Sequence, residues 1–350
     1  MRVTTDGQWG FRSMSRRQEK SADTPGGNRP VVQHGGVRKF GKYLETCVCG
    51  GAIVGAGAIP AAGLGWGADL IANFGALAAM GTVAGLLTGM ALRRWRLVGV
   101  LGVVLLVHGA YALRPRAASS DGPVAVRLLI HNIRSLNTDV GAVVANIRSS
   151  GADVVVLVDM SPEYVRAMRD EADLADLYPF MLRRGPVPDL TGWRVVLSRW
   201  PLEDHRTPTE LRCVVQKPGG AFALLVLHPA SPRDGGRWRR GNGLVEQAAA
   251  AARGFAVEGL PVIVAGDLNS TPTGWRDRQL CRRGGLRRCK PWLGSVGTFP
   301  AWVPGMFRLA LDDAWVSAEW RVGSWRVGDR AGSDHVSVFV ELVLEVASSD

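Results

Sequence analysis

Between residues 47 and 113 apolar side chains crowd into three stretches with almost no charge, which limits the folds open to this chain more than any other feature. The stretches run over 47–65, 74–92 and 97–113, each near the ~20 residues that cross a bilayer as a helix. The first is rich in Gly and Ala and contains Pro60. Gly51-x-x-x-Gly55 and Gly81-x-x-x-Gly85-x-x-x-Gly89 supply faces on which such helices pack closely. A buried helical pair of a soluble protein is the alternative reading, but arginines flank the stretches, and that favours the membrane. The sequence therefore predicts a three-helix transmembrane region over 43–113, which also accounts for a mean hydropathy as high as +0.06.

The net charge of +11 invites a nucleic-acid partner until its distribution is considered. Residues 1–121 hold 14 Lys and Arg against 6 Asp and Glu, whereas the remainder holds 28 against 25. The basicity is thus a property of the tail and the membrane flanks, which argues against nucleic acid and for membrane lipids as partners. Arg38, Lys39 and Lys42 precede the first stretch, and Arg93, Arg94 and Arg96 separate the second from the third, while residues 66–73 carry no Lys or Arg. By the positive-inside rule the tail and the Arg93–Arg96 loop are cytoplasmic. Three spans then place everything after Leu113 outside, as in a multi-pass plasma-membrane protein with an extracytoplasmic domain. Residues 1–42 lack apolar periodicity and read as a disordered tail, followed, beyond the spans, by a linker over 114–124.

Five cysteines without a C-x-x-C pair exclude a thiolate zinc site. Cys281 and Cys289, eight residues apart, could pair in an exported domain.

Over 125–346 the pattern changes to short β-branched runs. Strands are predicted at 126–133, 154–158, 194–198, 221–227, 262–265, 309–316, 321–327 and 336–344, and helices at 139–149 and 243–255. Many strands with few helices point to an α/β (α+β) layered sandwich, two β-sheets flanked by helices. Polar residues recur at the strand ends: Asn132, Asp159, His228, Asp267 with Asn269, Asp312, and Asp334 with His335. Any one of them reads as a turn former; gathered at one edge of a sheet they would form a site.

Their order carries a resemblance. Leu128-Leu129-Ile130-His131-Asn132, Asp159 followed by Met160-Ser161-Pro162-Glu163, His228-Pro229, Gly266-Asp267-Leu268-Asn269, Leu311-Asp312 and Ser333-Asp334-His335 resemble, in sequence order, the motifs of the endonuclease/exonuclease/phosphatase superfamily. Three apolar stretches ahead of such a domain, with Thr298-Phe299-Pro300-Ala301-Trp302, are similar to its membrane-anchored VanJ-type branch, associated with teicoplanin resistance. The resemblance implies a metal-dependent phosphoric ester hydrolase. Asp159, Asn132 and Asp334 would hold Mg²⁺ or Mn²⁺, hard ions suited to oxygen ligands. Asp267 would orient or deprotonate water, Asn269 would bond the phosphate, and His228 would stabilise the transition state. His335 would contact the phosphate or act as base, with Asp312 fixing its tautomer.

The chain departs from the family pattern at three positions. Asp159 stands in place of Glu, Ala310 in place of Arg, and Asp313 in place of an aromatic residue or His. A domain tethered beside a membrane suits a phosphate or pyrophosphate ester linked to a lipid, such as a cell-wall intermediate, better than a long polynucleotide. A nuclease and a catalytically impaired envelope ligand-binding module remain the alternatives. The seven basic residues from Arg276 to Lys290 read either as a solvated face or as a contact for anionic headgroups. No pattern in the chain specifies its oligomeric state.

Overall fold

The computed structural model describes residues 34–112, 116–185, 192–291 and 296–345. Most of the predicted tail, up to residue 33, and linker residues 114–115 lie outside the described residues.

The N-terminal helices are α1 (His34–Ala61), α2 (Trp66–Ala72), α3 (Gly75–Ala91) and α4 (Trp95–Ala112). No single described helix is long and apolar enough to cross a membrane. The part of α1 from Glu45 to Ala61 and helix α2 pass that test only together, and they meet at a bend of 117°. Seventeen residues, the length of α3, rise about 26 Å, short of a hydrocarbon core of about 30 Å. The glycine motifs are partly used. A Cβ at Gly55 would touch Ala78, one at Gly85 would collide with Leu101, and one at Gly89 would press on Val98, whereas Gly51 and Gly81 face open space.

The remaining elements are β1 (Val126–Asn132), α5 (Val140–Ser150), β2 (Val154–Met160), α6 (Pro162–Arg169), α7 (Ala172–Leu177), β3 (Phe180–Arg184), β4 (Trp193–Ser198), β5 (Leu202–Asp204), β6 (Leu211–Val215), β7 (Phe222–Leu227), α8 (Gly235–Val257), β8 (Val262–Asp267), α9 (Trp275–Arg283), β9 (Arg287–Arg288), β10 (Asp312–Val316), β11 (Trp320–Val327) and β12 (Val338–Leu344). They build two six-stranded sheets, ordered β11-β12-β1-β2-β4-β3 and β5-β6-β7-β8-β10-β9. Each sheet has one parallel pair at its centre, β1 with β2 and β7 with β8, joined through α5 and α8. All other pairings within the sheets are antiparallel.

Alternation along the central strands explains the layering. Val126, Leu128 and Ile130 of β1, Val154, Val156 and Val158 of β2 and Phe222, Leu224 and Val226 of β7 meet in one core between the sheets. The intervening Leu129, Val155 and Leu157 pack under α5 and α6, and Ala223, Leu225 and Leu227 pack under α8. Strands buried on both faces lose the polar alternation of surface strands and read as continuous apolar runs. The helices begin where side chains satisfy their free N–H groups: Asp139 accepts from Ala142 N before α5, Ser161 from Tyr164 N before α6, and Asp234 from Arg237 N before α8.

One sequence expectation fails here and another holds only in part. Cys281 and Cys289 do not pair, because Cys289 lies in the core between the sheets while Cys281, on α9, packs against the outer cluster under α8. The basic run divides: Arg276, Arg278, Arg288 and Lys290 are buried and belong to no surface face, whereas Arg282 and Arg283 are exposed and Arg287 is half-buried. Arg276 donates to the carbonyls of Leu268 and Ala230 and to Asn242. Arg288 donates to Asp277 at 3.0 Å and to Asp313 at 2.5 Å. Trp315 and Trp325 donate to the same two carboxylates, so Asp313 is the partner of a buried arginine. Arg288 also reaches the carbonyl of Ala310, the position where the family pattern carries its own arginine.

Candidate active site

The topology brings the polar strand ends to one edge of the sandwich. Asn132 ends β1, Asp159 lies one residue from the end of β2, His228 follows β7 and Asp267 ends β8, so these four sit at the C-terminal ends of the parallel pairs. Asp312 opens β10 directly opposite Asp267 in the antiparallel register, and His335 lies just ahead of β12, which pairs with β1.

Local backbone geometry aims these groups. Gly266 has φ 140°, and a Cβ there would lie 2.0 Å from the Leu227 carbonyl oxygen, so only glycine lets β8 pass β7 at this point and deliver Asp267. Asp159 and Asn269 adopt φ of 57° and 48°, left-handed conformations that cost energy for non-glycine residues and concentrate at functional sites. Gly192 packs against Asp159, since a Cβ there would lie 2.4 Å from its Cα. Ser333 donates to the Asn132 carbonyl and accepts from His335 N, tying the closing motif to β1.

Asp267 is the hub. Its carboxylate accepts from Asn132 Nδ2 at 2.9 Å, from Asn269 N at 2.7 Å and from Asn269 Nδ2 at 3.3 Å. His228 Nε2 and His335 Nε2 stand 3.7 and 4.0 Å from its Oδ2. His335 Nδ1 bonds Asp312 Oδ2 at 2.7 Å. Burial works against a charge on His335, yet the fields of Asp312, Asp267 and Asp334 prevail and hold its pKa up at about 9. Burial raises the Asp312 carboxyl, with the imidazolium opposing. The two groups therefore share their proton across a short hydrogen bond, each shifted toward the protonated form.

Asn132, Asp159, His228, Asp267, Asn269, Asp334 and His335 all line one pocket of about 290 Å³, and Asp312 sits behind His335. Asp267, Asp312 and His335 each place a ligand atom within 4.8 Å of the others, a buried cluster able to hold a metal ion. Asp312 Oδ1 is buried with no hydrogen-bond partner, and the donors are mostly oxygens, so the site suits a hard divalent cation. Asp159 accepts a long bond from Ser135 N, and Asp334 lies 3.7 Å from Arg134.

The pocket also contains Phe299, from the Thr298–Trp302 motif, and residues that no motif marked: Arg233, Arg237 and, from the N-terminal region, Leu70, Asn73 and Phe74. Phe299 lies against the His335 ring at 4.8 Å. The Arg233 and Arg237 pair around the N-cap of α8 was open to recognition as cationic residues soon after His228. Leu70, Asn73 and Phe74 gave no signal.

Two mixed sheets under helices carry an Asp–His cluster at one edge of the sandwich, the arrangement of a hydrolase fold. The model of the Endonuclease/Exonuclease/phosphatase family matches residues 129–335, and the chain belongs to that family. Its members are typically phosphoester hydrolases and are metal-dependent. Among solved structures the chain is similar to an endonuclease/exonuclease/phosphatase from Beutenbergia cavernae (18% identity, 65% of this chain and 74% of that one, TM-score 0.49). It is also similar to the human Nocturnin catalytic domain with bound sulfate (17%, 63% and 94%, TM-score 0.47). A third similar structure is sphingomyelinase C from Streptomyces griseocarneus (16%, 63% and 99%, TM-score 0.45). No curated protein matches the chain in sequence.

Proposed function

We propose that this protein is a Mg²⁺- or Mn²⁺-dependent phosphoester or pyrophosphate hydrolase, anchored in the plasma membrane with its active site outside the cytoplasm, acting on a lipid-linked phosphate such as a cell-wall intermediate. The VanJ-type likeness fits this reading. The observation that carries the chemistry is the convergence of two imidazoles and two amides on the single carboxylate of Asp267.

Asp159, Asn132 and Asp334 would hold the metal, which supplies charge neutralisation at the phosphoryl oxygens. Asp267 accepts the proton of the attacking water. The P–O bond to the leaving group breaks as the new one forms, and Asn269 hydrogen-bonds the phosphate. His335, whose pKa the Asp312 carboxylate raises, presents Nε2–H to a phosphoryl oxygen, and His228 would stabilise the transition state beside it.

Two observations support this orientation. Residues 66–73 lack Lys and Arg, as the positive-inside rule expects of an outer loop. The helix they form is hydrogen-bonded to the catalytic domain, which fits an outer position for both.

The test incubates the full chain in detergent with Mg²⁺ and DNA, sphingomyelin, a phosphoinositide or a polyprenyl diphosphate. Turnover of the polyprenyl diphosphate supports the reading; cleavage of DNA alone, or of nothing, overturns it.

A further inference from the structure

The catalytic pocket has a wall that the catalytic domain does not supply. Helix α2 is fastened to the loop after Asn269 by buried bonds. Asn73 Oδ1 accepts from Thr271 N at 2.6 Å and from Ser270 Oγ at 3.1 Å, and the Ala72 and Asn73 carbonyls accept from Thr273 and Thr271. One helical turn earlier, the buried Asp69 accepts from Trp275 N and Trp238 Nε1, both at 2.8 Å. The approach is close: a Cβ at Gly63 would lie 2.8 Å from Trp275, and one at Gly75 would lie 2.6 Å from Thr273. The wall is thus fixed by its polar face, while Leu70 and Phe74, 38% and 45% exposed, line the pocket that contains Asp267 and His335.

Exposed apolar side chains at the mouth of a polar catalytic pocket need an occupant with both characters. The same pocket takes in Phe299, and the segment after it exposes Trp302, Met306 and Phe307.

Resting on the function proposed above, we infer that Leu70 and Phe74 are specificity-determining residues: they seat the first isoprenoid units of a polyprenyl phosphate or diphosphate while its head group reaches Asp267. The apolar helices α1 and α3, which α2 and Phe74 join, lead the same chain toward the bilayer. Selectivity by chain length follows, since each apolar group seated in such a site gains about tenfold or more in kcat/KM.

The experiment compares phosphate release by the full chain in detergent from isopentenyl diphosphate and from a long-chain polyprenyl diphosphate, which share a reacting group and differ in the apolar tail. The wild type favours the long substrate. Leu70→Asn and Phe74→Asn, on separate elements, each lower the long-to-short ratio of kcat/KM about tenfold through KM, and the apolar variant Leu70→Met keeps the wild-type ratio. An unchanged ratio in both variants, or a wild type indifferent to chain length, overturns the inference and leaves the hydrolase reading standing. A wild type that cleaves neither diphosphate overturns the lipid-phosphate reading and the inference with it.

Discussion

Asn132 donates a hydrogen bond of 2.9 Å to Asp267, joining the end of β1 in one sheet to the end of β8 in the other. The Asp267 carboxylate is therefore held by both halves of the sandwich, and its position depends on the packing between them.

Asp267→Asn keeps the shape of this hub but cannot take a proton. Its hydrolysis rate should fall about 10²- to 10⁴-fold while the far-ultraviolet circular dichroism is retained. A variant with wild-type turnover on the true substrate would move the site elsewhere.

Asp159→Ala should lose activity through metal occupancy, recover partly in excess Mg²⁺ or Mn²⁺, and bind metal more weakly by calorimetry. Asp159→Glu, with the residue of the family pattern, should remain active. Weakened binding in Asp312→Asn with none in Asp159→Ala would assign the ion to the buried Asp267, Asp312 and His335 cluster instead.

His335 is charged in the folded protein up to pH about 9, against an ordinary value of 6.5. Its raised pKa contributes stability that is fully present below pH 6.5 and is lost as pH rises through 9. Hydrolysis that uses the imidazolium should decline over the same alkaline limb, and His335→Ala should be slow at every pH and lack that limb. The pH–rate profiles of the two proteins decide this.

Arg288 is fully buried between Asp277 and Asp313. Arg288→Met leaves two carboxylates without their cation, at a cost of about 3–5 kcal/mol. Urea unfolding should show the loss, and a variant as stable as the wild type would mean the carboxylates find other partners.

Asn73→Ala strips acceptors from Thr271 N and Ser270 Oγ, both buried. The expected cost is about 1–3 kcal/mol, together with lower turnover, because the loosened loop begins one residue after Asn269. Unchanged unfolding and kinetics would show the contact to be incidental.

The central strands and the catalytic edge were legible because they are local. The apolar runs of β1, β2, β7 and β8 each end in the polar residue that the topology later gathers, and predicted and observed boundaries differ there by a residue or two. Helix α8 begins eight residues before the predicted 243, since its first two turns are polar and glycine-rich. Strands β3, β5, β6 and β9 were missed, being short runs whose place is set by their sheet neighbours. The buried part of the basic run was misread for a related reason: whether Arg288 faces water depends on Asp313, 25 residues away. Asn73 meets Thr271 across 198 residues, and no periodicity in either segment encodes that meeting.

The fastening of α2 to the loop 270–275 changes what counts as the enzyme. A soluble fragment beginning after the last N-terminal helix would keep every motif of the family, yet it would expose the Thr271 amide and the Trp275 and Trp238 N–H groups to water and remove one side of the pocket. Helix α2 is thus part of the site's wall rather than an appendage to it, and a fragment that retains α2 is the one expected to keep the pocket whole.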